Sequence, residues 1–250
     1  MTSNREGKWL ILSDLHAPFH DEPVFKKVLK LARDIQPDGF ILNGDVLDLW
    51  SLGSFNADSV ELLRDVTLEG EYKTGNSLLD RIDDVIGSRP EKIFLYGNHE
   101  DRYRRELERG DRGKYAGALR SPSDALALTR RGYTVLDNYK QHFVRLGGHL
   151  EITHGIYATV HAAKRHLDEF QGSVIIGHTH RLQSFVTGKR GAWNCGFLGD
   201  SDSPGFFYVA RSQREKWSQS FCIVTIKDGA FWVEPIQVNM GTFVYGGKAY

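Results

Sequence analysis

Five short apolar runs punctuate the chain, and each breaks off at once into a polar cluster. Trp9-Leu10-Ile11-Leu12 leads into Ser13-Asp14-Leu15-His16, Phe40-Ile41-Leu42 into Asn43-Gly44-Asp45, and Ile93-Phe94-Leu95-Tyr96 into Gly97-Asn98-His99-Glu100. Leu150-Glu151-Ile152-Thr153 leads into His154-Gly155, and Val174-Ile175-Ile176 into Gly177-His178-Thr179-His180. Apolar runs of this length, bounded by Gly and polar residues, predict buried strands. Ligands of open α/β sheets bind just beyond the carboxyl ends of the strands. The pattern therefore predicts that carboxylates, imidazoles and an amide meet at one end of a sheet.

Between these runs the spacing turns helical. Val24, Val28, Leu31 and Ile35 form one stripe, opened by Pro23 behind Asp21-Glu22 and closed by Pro37-Asp38-Gly39. Ser59 to Leu68 and Leu78 to Ile86 also read as helices, separated by Gly70 to Gly75. Further helices are expected from Ser121-Pro122-Ser123-Asp124 onward and from Tyr157 to Phe170. The last third is β-rich: Gly191 to Gly199, Phe206 to Ala210, Phe221 to Ile226 and Phe231 to Val238 read as strands, with Lys227-Asp228-Gly229 as a hairpin turn. This predicts a second sheet packed face to face on the first. No repeat, low-complexity tract or linker intervenes, so the expectation is one domain over 1–250, with 49–90 and 101–140 as insertions that shape a cleft.

Composition narrows the classes. With 40% hydrophobic and 12% aromatic residues, the chain has enough apolar material for a sizeable core, which excludes a disordered chain. The 32 Lys and Arg residues are balanced by 32 Asp and Glu. That balance argues against the broad basic footprint of a protein gripping long nucleic acid, though it leaves room for a local basic lip. The two cysteines, Cys195 and Cys222, lack paired spacing; they exclude a disulfide framework or a cysteine zinc module and read as buried apolar residues. Met1 to Lys8 has no signal-peptide pattern, and no apolar run approaches the roughly 20 residues of a membrane span. A cytoplasmic protein without membrane association is expected.

The polar clusters carry the chemistry. Asp14 and His16 are two residues apart, as are His178 and His180, so in extended chain each pair points to one side. Carboxylate, neutral imidazole and amide oxygen form a donor set that suits Mn²⁺, Fe or Zn²⁺ better than Ca²⁺, and no thiolate is present to favour a soft metal. Any one cluster could be an ordinary turn. Five of them, each at a strand end, are not a chance arrangement.

In this order, Asp14-x-His16, Gly44-Asp45-x-x-Asp48, Gly97-Asn98-His99-Glu100, His154-Gly155 and Gly177-His178-x-His180 resemble the motifs of the calcineurin-like metallophosphoesterases. The resemblance implies an α/β fold, a four-layer α-β-β-α sandwich of two mixed sheets flanked by helices. It implies one divalent metal on Asp14, His16, Asp45 and His180 and a second on Asp45, Asn98, His154 and His178, with Asp45 bridging. Mn²⁺ is the favoured ion, with Fe, Zn²⁺ and Ni²⁺ as alternatives. Two metals about 3.5–4 Å apart clamp a phosphate and generate hydroxide from bound water near neutral pH. The implied reaction is in-line phosphoester hydrolysis without a covalent enzyme intermediate. His99 is left to protonate the leaving oxygen or stabilise transition-state charge, with Asp48 as its orienting partner, and Asn98, His99 and Arg102 are the expected substrate contacts. Asp48 has a plainer reading as a helix cap.

The motifs leave the substrate open. In protein serine/threonine phosphatases an Arg follows the Gly-Asp-x-x-Asp block; here that position is Leu49, which counts against such an enzyme. The missing signal peptide, disulfides and iron-ligating Tyr count against a secreted purple-acid type. The compact chain is similar to small prokaryotic and phage-encoded members of the family. The expectation is hydrolysis of a phosphodiester, in nucleic acid or a nucleotide, with phosphomonoester hydrolysis as the alternative. A catalytically silent scaffold would show gaps in the ligand set, and every position is filled. Arg102, Arg104, Arg105, Arg109 and Arg112 alternate with Asp101, Glu106, Glu108 and Asp111, the pattern of a solvated helix with internal ion pairs. Trp50 and Phe55 either stack on a base or pack beneath a loop. His20, His142, His149, His161 and His166 read as surface or packing residues. Oligomeric state is not encoded in any of these features.

Overall fold

The computed structural model describes residues 1–53, 64–110 and 119–250. Among them, twelve strands, β1 to β12 in chain order, form two six-stranded sheets. In the first, β2 (Gly7–Leu12), β3 (Gly39–Asn43), β4 (Glu91–Leu95) and β5 (Tyr133–Leu136) run parallel. The hairpin β11 (Ser220–Lys227) and β12 (Ala230–Gln237) extends that sheet, β11 pairing antiparallel to β2. The second sheet has the order β1 (Thr2–Ser3), β6 (Val144–Leu146), β7 (Leu150–Ile152), β8 (Ser173–Ile176), β10 (Arg190–Cys195) and β9 (Leu182–Thr187). Its β7, β8 and β10 are parallel.

The continuous apolar runs follow from burial on both faces. Trp9, Ile11, Ile41, Ile93 and Leu95 of the first sheet meet Val144, Leu150, Ile152 and Ile175 of the second between the sheets. The alternate residues Leu10, Leu12, Phe40, Leu42 and Phe94 face outward onto helices α1 (Glu22–Ile35) and α2 (Leu68–Ile86). After α3 (Asp101–Glu108) and the short α4 (Pro122–Ala125), α5 (Ala162–Glu169) covers the outer face of the second sheet through Ala162, Ala163 and Leu167. The layers are therefore α-β-β-α, and the sheets and helices form the sandwich expected from the motifs. No helix of the described residues is long and apolar enough to cross a membrane.

Local signals place α1 well: the Asp21 carboxylate accepts from Val24 N at 3.0 Å, and Gln36 ends the helix in the left-handed region. Elsewhere tertiary packing overrode them. The expected break at Gly70 to Gly75 is absent, because α2 runs unbroken through both glycines. A side chain at Gly75 would put its Cβ 2.5 Å from Leu47 Cδ2, so Gly75 is there for close packing rather than as a helix breaker. The rest of the helix expected over 59–68 falls largely outside the described residues. The β-rich last third does not build the second sheet alone. Its β9 and β10 join β6 to β8, and β11 and β12 join the first sheet. Phe206 to Ala210 is not a strand: Pro204–Phe206 is one turn of 3-10 helix, with Phe206 buried. The turn between β11 and β12 is the two-residue Asp228-Gly229, both with positive φ, as its sequence dictates.

Candidate metal centre

The strand ends converge. Asp14 and His16 follow β2, Asp45 follows β3, Asn98 and His99 follow β4, His154 follows β7, and His178 and His180 follow β8. The loops after β2 and β3 are stitched by main-chain bonds, Asp14 N to Gly44 O at 3.0 Å and His16 N to Asp45 O at 2.9 Å. The two sheets are tied at the same level by Asn43 Nδ2, which donates to Thr153 O at 3.0 Å.

The backbone is held far from its relaxed state here. Of ten described non-glycine residues with positive φ, five are Asp14, His16, Asp45, His178 and His180. Left-handed geometry costs each about 1–2 kcal/mol, and such strain persists where the surrounding structure over-determines it, typically at functional sites. The motif glycines let the loops close. A Cβ on Gly97 would lie 2.1 Å from Asp45 Oδ1, and one on Gly177 would lie 2.4 Å from Asp14 Oδ2.

Three groups of side chains each bring their ligand atoms within 4.8 Å of one another: Asp14, His16 and His180; Asp45, His154 and His178; and His16, Asp45 and His99. Asp45 belongs to two of them and lies between the others. His180 Nε2 is 3.3 Å from Asp14 Oδ1 and 2.9 Å from His16 Nε2. His154 Nε2 is 3.2 Å from both Asp45 Oδ2 and Asn98 Oδ1. All seven residues that the motifs marked as ligands thus lie together.

Their chemistry fits divalent cations. Asp14, Asp45 and Asp48 are buried, and burial alone would push their carboxyls up. The facing histidines hold all three below the usual carboxylate range instead. Burial in turn works against charge on His16 and His154, but the same carboxylates outweigh it and hold the rings up at about 10 and about 9. The His178 Nδ1 atom is buried with no hydrogen-bond partner, and its pKa is pushed down to about 4, by burial first and then by His154. A buried, unpartnered imidazole nitrogen in a group with Asp45 and His154 is what a cation would complete.

The ring orientations are fixed from behind. His154 Nδ1 donates to Asn43 O at 2.8 Å, and His16 Nδ1 donates to Asp48 Oδ2 at 2.9 Å, so each turns Nε2 inward. His180 is stacked on Phe197, centroids 5.0 Å apart, and met edge-on by Trp217 at 4.4 Å.

Asp48 stands between two histidines. Its carboxylate is nearer His16 Nδ1 at 2.9 Å than His99 Nδ1 at 3.5 Å. His99 Nδ1 instead donates to the main-chain oxygen of Asp48 at 2.6 Å, leaving Nε2 to face the site. Arg102 leaves the ion-paired face of α3 and reaches the same loop. Its Nη1 donates to Asp48 O at 2.9 Å and Leu49 O at 3.2 Å, and its Nη2 lies 3.3 Å from His99 Nε2. Arg104 and Arg105 pair with Asp101, and Arg109 with Glu106, as the alternating charges predict. Asp111, Arg112 and Phe55 lie outside the described residues. Trp50 is buried in an aromatic cluster with Phe19, Phe197 and Phe206.

Two buried acids hold the loops: Glu100, whose motif position points to a loop hydrogen bond or a helix start, and Glu71, which the motifs do not mark. Glu100, the last residue of Gly-Asn-His-Glu, accepts from the main-chain N–H groups of Asp45 (2.9 Å), Leu47 (3.0 Å) and Gly97 (2.8 Å). Glu71 on α2 accepts from Trp50 N (2.6 Å), Ser51 N (3.1 Å) and Ser51 Oγ (2.6 Å). Each clamps a loop of the site. The signal for Glu100 was its place beside two polar motif residues; Glu71 has no local signal, because its partners lie 20 residues earlier.

The chain matches the calcineurin-like phosphoesterase family model over residues 7–182 and belongs to that family. It is a member of a class of metal-dependent phosphoesterases, and the Asp and His groups above are its candidate divalent-metal site. No curated protein matches the chain in sequence. Among solved structures, Vps29 from Entamoeba histolytica, complexed with Zn²⁺, is 14% identical over 97% of each chain, with a TM-score of 0.48. The E. coli phosphoesterase YfcE is 14% identical over 93% of this chain and 100% of its own, with a TM-score of 0.45. A conserved uncharacterized protein of Streptococcus pneumoniae TIGR4 is 14% identical over 99% of this chain and 98% of its own, with a TM-score of 0.39.

Proposed function

We propose that this protein hydrolyses phosphodiesters of nucleic acid or nucleotides, using two divalent metal ions, with Mn²⁺ as the favoured pair. The observation that carries the metal dependence is the convergence of seven ligand side chains around the shared carboxylate of Asp45. Asp14, His16, Asp45 and His180 hold one ion; Asp45, Asn98, His154 and His178 hold the other. When bound, the ions supply Lewis-acid activation of the phosphoryl group and of the water that attacks it.

The protein's own groups handle the leaving side. His99 Nε2 accepts from Arg102 in the resting site, and burial together with the Arg102 charge pushes the ring below its ordinary pKa. An anionic phosphoryl group beside Nε2 offsets both effects, so the proton needed by the leaving oxygen is stabilised only when substrate is present. Asp48 positions two rings at once, His16 through its carboxylate and His99 through its main-chain oxygen.

Preference for a diester is supported at Leu49. The position after Gly44-Asp45-x-x-Asp48 is a fully buried apolar side chain and offers no cation to a doubly charged monoester. Arg102 commits Nη1 to Asp48 and Leu49, and its Nη2 lies against His99. The test compares bis-p-nitrophenyl phosphate with p-nitrophenyl phosphate across Mn²⁺, Fe²⁺, Zn²⁺ and Ni²⁺. The expected result is faster turnover of the diester, greatest with Mn²⁺ and abolished by chelation. Preference for the monoester in every metal would reverse the substrate reading.

A further inference from the structure

We infer that Phe207 and Tyr208 form a stacking lip over the metal centre that selects phosphodiesters carrying a nucleoside, the lip holding the base while the phosphoryl group sits on the site. This rests on the phosphodiester reading above and names the substrate class within it.

The lip is built from the metal centre outward. Phe206 is buried edge-on against His16, centroids 5.3 Å apart, and against His180 at 6.2 Å. It fixes one end of the segment to two metal-site rings. Main-chain bonds then coil the next residues, Phe207 N to Pro204 O at 3.1 Å and Val209 N to Phe206 O at 2.9 Å. Arg214 braces the coil from behind: Nε donates to Val209 O at 3.1 Å, Nη1 donates to Ser201 O, and its guanidinium lies over the Phe207 ring, 4.9 Å from the centroid.

Two aromatic rings emerge from this braced turn. Phe207 is 48% exposed and Tyr208 41% exposed. The Tyr208 hydroxyl pairs with the Arg102 guanidinium, close enough to feel the charges of Asp48 and Asp45. Tyr208 thus touches the residue that touches His99. Tyr208 therefore borders the site on the His99 side, and Phe207 precedes it on the same braced turn.

Contiguous exposed apolar surface beside a cleft marks ligand-binding grooves, and Phe207 and Tyr208 are adjacent in the chain. Here the Phe207 ring lies under the Arg214 guanidinium, the Tyr208 hydroxyl meets Arg102, and the turn beneath is tied down, so little ordering cost is left for a flat ligand. Planar π-faces beside guanidinium groups suit a nucleobase joined to an anionic phosphodiester. A flexible acyl or alkyl ester would gain less, because it lacks the planar face and would lie against charged groups.

Two substrates with the same scissile bond and charge isolate the effect: thymidine 5′-(p-nitrophenyl phosphate) and methyl p-nitrophenyl phosphate, assayed with the metal-loaded full chain. The expected wild-type preference for the nucleoside ester is about 10- to 100-fold in kcat/KM, expressed mainly in KM. Phe207→Ala and Tyr208→Ala should each shrink that ratio, and the double variant should bring it to within about threefold of unity. Tyr208→Phe, which keeps the ring, should retain most of the preference. Metal content and melting temperature, measured for each variant, separate a lost lip from a lost fold. Equal turnover of both esters by the wild type overturns the inference while leaving the diester reading intact, as does a preference that survives in the folded double variant. Hydrolysis of p-nitrophenyl phosphate but neither diester overturns the diester reading, and the lip with it.

Discussion

The two sheets bring different things to their shared edge. The first supplies Asp14, His16, Asp45, Asn98 and His99, and nearly every one is tied to protein from behind. Glu100 gathers the amides of Asp45, Leu47 and Gly97, and Asp48 holds His16. The second supplies three imidazoles, His154, His178 and His180. His154 is braced by Asn43 O from across the sheets, but His178 Nδ1 has no protein partner at all. The first half of the cage is tied to the polypeptide, whereas the second includes one imidazole, His178, whose ring has no hydrogen-bond brace. That asymmetry follows from chemistry. Carboxylates and their loops must be fixed against mutual repulsion, while an imidazole held neutral by burial, as His178 is, carries no charge that needs a partner.

The largest expected effect comes from the residue that both halves share. Asp45→Asn removes the bridging charge and should take metal content and diester turnover to background together, measured by elemental analysis and initial rates. Turnover surviving with metal bound would break the idea of a shared centre.

Next comes the division of labour within the first sheet. His99→Ala should keep both ions yet lose about 10²–10⁴-fold in kcat on esters with poor leaving groups. The loss should be much smaller with p-nitrophenolate, which needs no proton. A loss independent of leaving group would assign His99 to positioning or charge stabilisation rather than proton transfer.

The comparison itself is tested by pairing one residue from each side. Glu100→Ala strands three buried amide donors at about 1–3 kcal/mol each, so the metal-free protein should lose about 3 kcal/mol or more in urea unfolding. His178→Ala should cost the metal-free protein less than about 1 kcal/mol, because it removes an unsatisfied group, while abolishing most of the stabilisation that added metal confers. Equal losses in the metal-free state would erase the contrast.

The smallest effect lies far from the cage. Glu22 at the start of α1 is pushed up by its partial burial, but hydrogen bonds from Arg81 at 2.8 Å, Lys26 and His20 outweigh this and hold it down at about 2. A carboxyl with a lowered folded pKa stabilises above its ordinary value near 4.5 and loses that contribution as pH falls toward 2. The group is more than a third exposed, so Glu22→Gln should flatten the acid limb of a stability profile by less than about 1 kcal/mol.

The convergence of these side chains was legible in the sequence, because each candidate ligand follows a strand whose apolar run is buried on both faces. Local order and three-dimensional order coincide there. What it could not declare depends on partners distant in the chain. Asp48 was visible as a motif residue, but its preference for His16 over His99 is set by how the loops after β2 and β4 close. The hairpin β11–β12 was visible as strands and turn, but its attachment beside β2 rather than in the second sheet is a pairing across 200 residues. Gly70 and Gly75 read as breakers because helix propensity counts only the local cost, and the packing of Gly75 on Leu47 outweighs it. Phe206 to Ala210 read as a strand from its aromatics; the segment instead turns, and Phe206 packs on His16 and His180.

The most direct test of the account strips the protein with a chelator and titrates Mn²⁺ back while counting bound ions and following hydrolysis of bis-p-nitrophenyl phosphate. Turnover should be absent in the stripped protein, rise with added metal and saturate at two ions per chain. Full turnover without metal, or two bound ions with no hydrolysis of either diester or monoester, would contradict it.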